Sequence, residues 1–102
     1  MNNRDLLTPE DTADDLAGTV FTQVDGRISG AYRTGDFLGA VRLLDAVATV
    51  AEELNHHPDA VVSYGRIAFE LSSHDAGGVT ARDVRLALRI QKLAEEQGAT
   101  PS

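Results

Sequence analysis

Between Asp36 and Pro58 the chain carries one long apolar repeat that stops abruptly, and this stretch restricts the possible folds more than any other. Phe37, Val41, Leu44, Val47, Ala48, Ala51 and Leu54 recur three and four residues apart, the spacing of a helix with a wide apolar face. Asp36 is placed to cap its start. At the far end His57 precedes Pro58, and a residue before proline is pushed away from helical geometry. The helix must therefore end near the adjacent His56 and His57. A face this apolar needs a sheet or further helices to cover it.

Short stretches on either side supply that cover. Val20 to Val24 and Arg27 to Arg33 flank Asp25-Gly26, a two-residue hairpin signal; the strand period of two puts Ile28 and Tyr32 on one face. Val61 to Tyr64 and Ile67 to Ser73 are two more strands, joined at Gly65-Arg66. His74-Asp75-Ala76-Gly77-Gly78 reads as a turn. Thr8-Pro9-Glu10-Asp11 opens a short helix ending near Gly18, with a hydroxyl cap, proline at the first position and acids in the first turn. Thr80-Ala81-Arg82-Asp83 opens a final helix through Leu86, Ile90 and Leu93 to about Gln97, with Asp83 in a relative of the capping box. Residues 1–7 are expected to be a loose end and 98–102 a short polar tail. The order predicts an α+β fold, a small four-stranded antiparallel sheet covered on one face by three helices. One domain is expected over residues 1–102, with its core in about 8–96.

Composition narrows the function. A net charge of −7 and nine scattered Lys and Arg residues argue against nucleic acid, whose phosphates need clustered cations. The absence of cysteine excludes disulfides and thiolate chemistry. No apolar run approaches the roughly 20 residues of a membrane span, and the polar start has no signal-peptide core. A cytoplasmic protein without a membrane partner is expected. The modest core of so short a chain leaves room for self-association.

The chemistry-bearing residues are spaced in one pattern. Glu52 is followed after three residues by His56-His57-Pro58, after five more by Tyr64, after nine by His74 and after eight by Asp83. Imidazoles titrate nearest neutrality and suit proton transfer. At a helical spacing of four Glu52 and His56 share a face, so the carboxylate can touch or orient the ring. Each residue also has a plainer reading: Asp83 as a helix cap, Tyr64 as a sheet core residue, Glu52 as a solvated helix residue, His74 as a loop histidine, His-His-Pro as a helix stop.

This pattern resembles the pterin-4a-carbinolamine dehydratase family, the 4a-hydroxytetrahydrobiopterin dehydratases. Glu52, His56, His57, Pro58, Tyr64, His74 and Asp83 match its signature in type and spacing. Asp25-Gly26, Gly35-Asp36-Phe37, Ala51 to Asn55 and His74 to Thr80 are similar to stretches of bacterial members. The resemblance departs at Phe21 and Ala60, where relatives carry Trp, which bears on how the pterin ring is covered. It implies a hydro-lyase that removes water from a 4a-hydroxytetrahydropterin, in pterin recycling, with no cofactor and no metal. By that analogy His56 is the base at N5, with Glu52 as orienter, and His74 the acid at the 4a-hydroxyl; the two roles can be exchanged. His57 holds substrate and Asp83 orients His74 or its loop. Tyr64, Asp75 and Gly77 complete the substrate-binding set, with Gly77 and Gly78 allowing backbone to approach the flat pterin. The resemblance also implies a homodimer or homotetramer, and it leaves a pterin-dependent hydroxylase as a candidate client.

Two other functions compete. Three histidines with carboxylates suit zinc, but adjacent side chains rarely converge on one ion and no HExxH helix is present. A non-enzymatic protein-interaction or assembly factor on the same fold is the second, although such a scaffold has no need of all three histidines.

Overall fold

In a computed structural model, which describes residues 4–102, the elements follow the order α1 (Pro9–Leu16), β1 (Thr22–Val24), β2 (Arg27–Arg33), α2 (Phe37–Leu54), β3 (Asp59–Ser63), β4 (Arg66–Leu71), α3 (Ala81–Glu96) and β5 (Thr100–Pro101). The strands form one antiparallel sheet in the order β1-β2-β4-β3, with Ile28 opposite Leu71 and Asp59 opposite Glu70. Three helices and a sheet of this kind are the expected α+β architecture. Among the described residues no helix is long and apolar enough to cross a membrane.

Local signals explain most boundaries. Thr8 and Asp11 form a reciprocal capping box at α1, and Thr80 and Asp83 form another at α3. The Asp36 side chain accepts from Gly39 N–H at 2.7 Å to start α2. At the β1–β2 hairpin Asp25 takes a left-handed φ of 53°, as a tight two-residue turn requires. Ile28, Tyr32, Ile67, Phe69 and Leu71 of the sheet pack with Leu43, Val47, Leu86 and Ile90 of the helices in one core. Each such aliphatic side chain is worth about 1.5–3 kcal/mol of burial. Tyr32 is central: it packs edge to face with Phe21 and Phe69, and its hydroxyl donates to Gln91 at 2.6 Å. Burial raises the phenol above its ordinary pKa.

The structure differs from expectation at six places. The buried face of α2 is Ala40, Leu43, Val47, Val50 and Ala51, while Phe37 and Val41 are exposed. The helix carries apolar residues around more than one face, so spacing alone does not select which one meets the sheet. Helix α2 stops at Leu54 because Asn55 turns left-handed, φ 50°, and its N–H caps the Ala51 and Glu52 carbonyls; Pro58 lies beyond the break. Strand β1 begins at Thr22 rather than Val20, and the second hairpin turns at Tyr64-Gly65, one residue earlier than expected. The polar tail contains a fifth strand, with Thr100 and Pro101 opposite Arg33 and Tyr32. Of the expected loose end, residues 1–3 lie outside the described residues; Leu7 is tied down, its N–H donating to the Val79 carbonyl at 2.8 Å.

Candidate active site

The left-handed turn at Asn55 decides where the paired histidines go. A spacing of four keeps two residues on one helix face only while the helix lasts. Glu52 is still helical, but His56 lies after the break, so its ring swings toward α3. There Nε2 of His56 meets the Asp83 carboxylate at 2.5 Å. His57 turns the other way and its Nε2 pairs with Glu52. One expectation is thereby corrected: Glu52 orients His57 and not His56. Asp83 holds His56, and of the two alternatives expected for it, His74 or its loop, it reaches the base of the loop through Ser73.

The two pairs occupy different surroundings. The His56 side chain is 11% exposed and that of Asp83 0%, whereas His57 and Glu52 are 56% and 76% exposed. A buried carboxylate is stable only when its lone pairs are satisfied. Asp83 meets this condition: Oδ2 accepts from the Ser73 hydroxyl at 2.8 Å and from Thr80 N–H at 2.9 Å, and Oδ1 faces His56. It is thus both the cap of α3 and the partner of an imidazole. Because an ionised carboxylate can only accept, the neutral His56 ring carries its proton on Nε2. Its Nδ1 is left as the basic nitrogen.

His74 sits on the turn between β4 and α3. A cleft of about 660 Å³, lined by Arg27, Asp59, Glu70, Ser72, His74 and Gly77 among others, adjoins it. This is within the range of small-molecule sites. Asp59, two residues after His57, lines the same cleft, whereas His56 and His57 are not among its lining residues. Arg27 pairs with Glu70 at 3.2 Å across it. Asp75 is engaged on the turn itself, accepting from Arg82 at 2.7 and 3.2 Å. The Arg82 hydrogen bonds, with charge from Arg82 and Arg4, hold its carboxyl below the ordinary carboxylate range. Gly77 adopts φ 82°, which suits glycine.

Tyr64 is not part of this assembly in one chain. It lies in the β3–β4 turn, 80% exposed, at the end of β3 opposite Asp59. Strand rise separates it from Asp59 by roughly 16 Å, so it is neither a core residue nor a neighbour of the cleft. Ser73, Thr80 and Arg82, by contrast, were not expected at the site. Thr80 was visible in the sequence only as the cap of α3, and nothing there marked Ser73 or Arg82 for the site.

Comparisons with known proteins show the family and the fold. The family model described as pterin 4 alpha carbinolamine dehydratase matches residues 5–93. A Streptomyces coelicolor protein named "Putative pterin-4-alpha-carbinolamine dehydratase" is 39% identical over 95 residues, covering 91% of this chain and 94% of its own. One of the same name from Thermosynechococcus vestitus is 36% identical over 86% of this chain and 94% of its own. Among solved structures, a transcriptional coactivator/pterin dehydratase from Brucella melitensis superposes with a TM-score of 0.81 at 27% identity, covering 88% of this chain and 99% of that one. A pterin dehydratase-like RuBisCO assembly factor of the alpha-carboxysome shares the fold, with a TM-score of 0.61 at 18% identity. With its sequence matched from residue 5 to residue 93 and its fold shared, the chain belongs to the pterin 4 alpha carbinolamine dehydratase family.

Proposed function

We propose that this protein is a hydro-lyase that converts a 4a-hydroxytetrahydropterin to the quinonoid dihydropterin and water. The N5 proton is taken up by a base, the N5 electron pair forms the new double bond to C4a, and the C4a–O bond breaks. The departing hydroxide takes a proton from an acid and leaves as water. The step is redox-neutral, the C4a–O electron pair leaving with the oxygen.

The observation that carries this reading is the His56–Asp83 pair. A carboxylate on Nε2 fixes the ring and leaves Nδ1 as a defined proton acceptor. His56 is then the base at N5. His74, at the rim of the cleft, is the acid at the 4a-hydroxyl, and a reversal of these two roles leaves the chemistry balanced. His57, oriented by Glu52 at the exposed side, holds substrate, as does the turn built on Asp75 and Gly77. Tyr64 belongs to a substrate site only if a second chain brings it there, which fits a homodimer or homotetramer. A role in pterin recycling beside a pterin-dependent hydroxylase, in the cytoplasm, follows from this activity.

The test is the decay of a freshly generated carbinolamine followed by ultraviolet absorbance. Decay accelerated by the wild-type protein and slowed by His56→Ala and His74→Ala supports the reading. Decay at the uncatalysed rate with folded wild-type protein rejects it in favour of an assembly or interaction role.

A further inference from the structure

Ser73 makes two sets of contacts that no other described residue combines. Its side chain is fully buried and lies between two hydroxyl and carboxylate partners: Asp83 Oδ2 at 2.8 Å and Thr80 Oγ1 at 2.8 Å. A hydroxyl has one proton to give, and the carboxylate can only accept. The Ser73 proton therefore goes to Asp83, and the Thr80 hydroxyl donates to Ser73. Thr80 in turn accepts from Arg82 N–H at 3.3 Å. The donors run in one direction, toward Asp83 and the ring that Asp83 holds.

The backbone of the same residue closes the turn that carries His74. Ser73 N–H donates to the Gly78 carbonyl at 2.8 Å, and the Ser73 carbonyl accepts from Ala76 at 3.1 Å and Gly77 at 2.9 Å. Ser73 and Gly78 form an isolated bridge at the mouth of the turn. One residue thus fixes the position from which His74 departs and the carboxylate that aims His56.

We propose that Ser73 is a positioning residue that sets the two proton-transfer groups relative to each other. It touches neither substrate nor reacting atoms. Its side chain acts through Asp83 on the direction of the His56 ring, while its backbone, which any residue but proline supplies, holds the turn from which His74 departs. This rests on the dehydratase reading for its kinetic consequence, but the effect on His56 is independent of any substrate. A hydroxyl serves here because it supplies both a donor and an acceptor at one oxygen.

The experiment compares wild type, Ser73→Ala, Ser73→Cys and Ser73→Thr by circular dichroism, carbinolamine turnover and proton NMR of the His56 Nε2–H. In the wild type, a hydrogen-bonded imidazole proton gives a downfield, slowly exchanging signal. In Ser73→Ala the Asp83 carboxylate loses one anchor, and that signal is broadened or lost. Its kcat falls about ten- to a hundredfold, the scale of a misplacement of about an ångström, while KM stays within a factor of about two. Ser73→Thr, which restores a hydroxyl, recovers the signal and most of kcat. Folded Ser73→Ala with wild-type kcat and an unchanged signal overturns the proposal, as does an equal loss in Ser73→Ala and Ser73→Thr. If Ser73→Ala does not fold, Ser73→Cys decides. Its weak S–H donor gives an intermediate signal and kcat if the proposal holds; wild-type values in both reduce Ser73 to a structural residue and overturn it. Wild-type protein without turnover rejects the dehydratase reading, and the imidazole signal alone then decides whether Ser73 aims His56.

Discussion

Replacing Asp83 by asparagine isolates the role of the carboxylate, because the side chain keeps its size while losing its charge and one acceptor. The new amide has one oxygen and one nitrogen to place. On the Oδ2 side it meets Thr80 N–H at 2.9 Å, which can only donate, so the oxygen must stay there. The nitrogen then falls at the Oδ1 position, 2.5 Å from His56 Nε2 in the native arrangement. Two N–H groups cannot face each other at that distance. His56 answers by moving its proton to Nδ1, so the nitrogen that served as base is now protonated and the remaining lone pair, on Nε2, points at the amide. A correctly placed but wrongly protonated base removes a contribution of about 10²–10⁴ in rate, so kcat of Asp83→Asn falls by that factor. Stability changes less. Hydrogen bonds to a charged group weaken by about 1 kcal/mol each on neutralisation, and relief of a buried charge offsets part of this. A net loss of about 1–2 kcal/mol, or about 5–10 °C in Tm, is expected for a domain of this size. Carbinolamine turnover gives the rate, thermal unfolding the stability, and nitrogen-15 spectra of the ring the tautomer. Folded Asp83→Asn with wild-type turnover, or with its proton still on Nε2, refutes the reasoning.

Glu52→Gln removes the partner of an exposed histidine, and exposed ion pairs are worth no more than about 1 kcal/mol; steady-state kinetics should show a change of no more than about fivefold, expressed in KM. Asp75 is depressed by Arg82, so the stability it supplies is complete above the ordinary carboxylate pKa of about 3.9 and is lost as pH falls through its lowered value. Urea unfolding below about pH 4 should therefore show a component of acid loss that Asp75→Asn lacks. Gly77→Ala meets no atom within 4 Å and suffers only the left-handed φ, a cost of about 1–2 kcal/mol to be read by thermal melts. In Gly30→Ala the added carbon lies 2.8 Å from the Val20 side chain and 2.9 Å from the Val20 carbonyl; overpacking of about 1–3 kcal/mol, at ordinary φ, should appear in the same melts.

The helix starts were legible because capping is local: Thr8, Asp36 and Thr80 announce themselves within four residues of what they cap. The β1–β2 hairpin was legible for the same reason, through Asp25-Gly26. The partners of His56 and His57 were not. Their assignment from a spacing of four assumed that the helix runs through His56, and one left-handed residue, Asn55, exchanges the two rings. The buried face of α2 was misjudged because Phe37 and Val41 are as apolar as Leu43 and Val50, and only the packed neighbours separate them. Strand β5 gave no signal, since Thr100-Pro101 is polar and proline is rare in sheets; its place depends on the finished edge of β2. The residues of the site were visible as types and spacings. Their pairing required the fold.

The outer edge of β2 is closed from two distant parts of the chain, β1 against Arg27–Ser29 and β5 against Tyr32–Arg33. Ser102 N–H also reaches the Ala31 carbonyl at 3.1 Å. On the ribosome, β2 emerges next to β1 but well before residues 100–101. Half of its edge therefore stays open until α3 has been synthesised, and an open edge invites strand addition from other chains. The 100–101 segment works as a latch that closes when translation has delivered every earlier element. A chain interrupted after α3 would carry a nearly complete core and an unlatched edge.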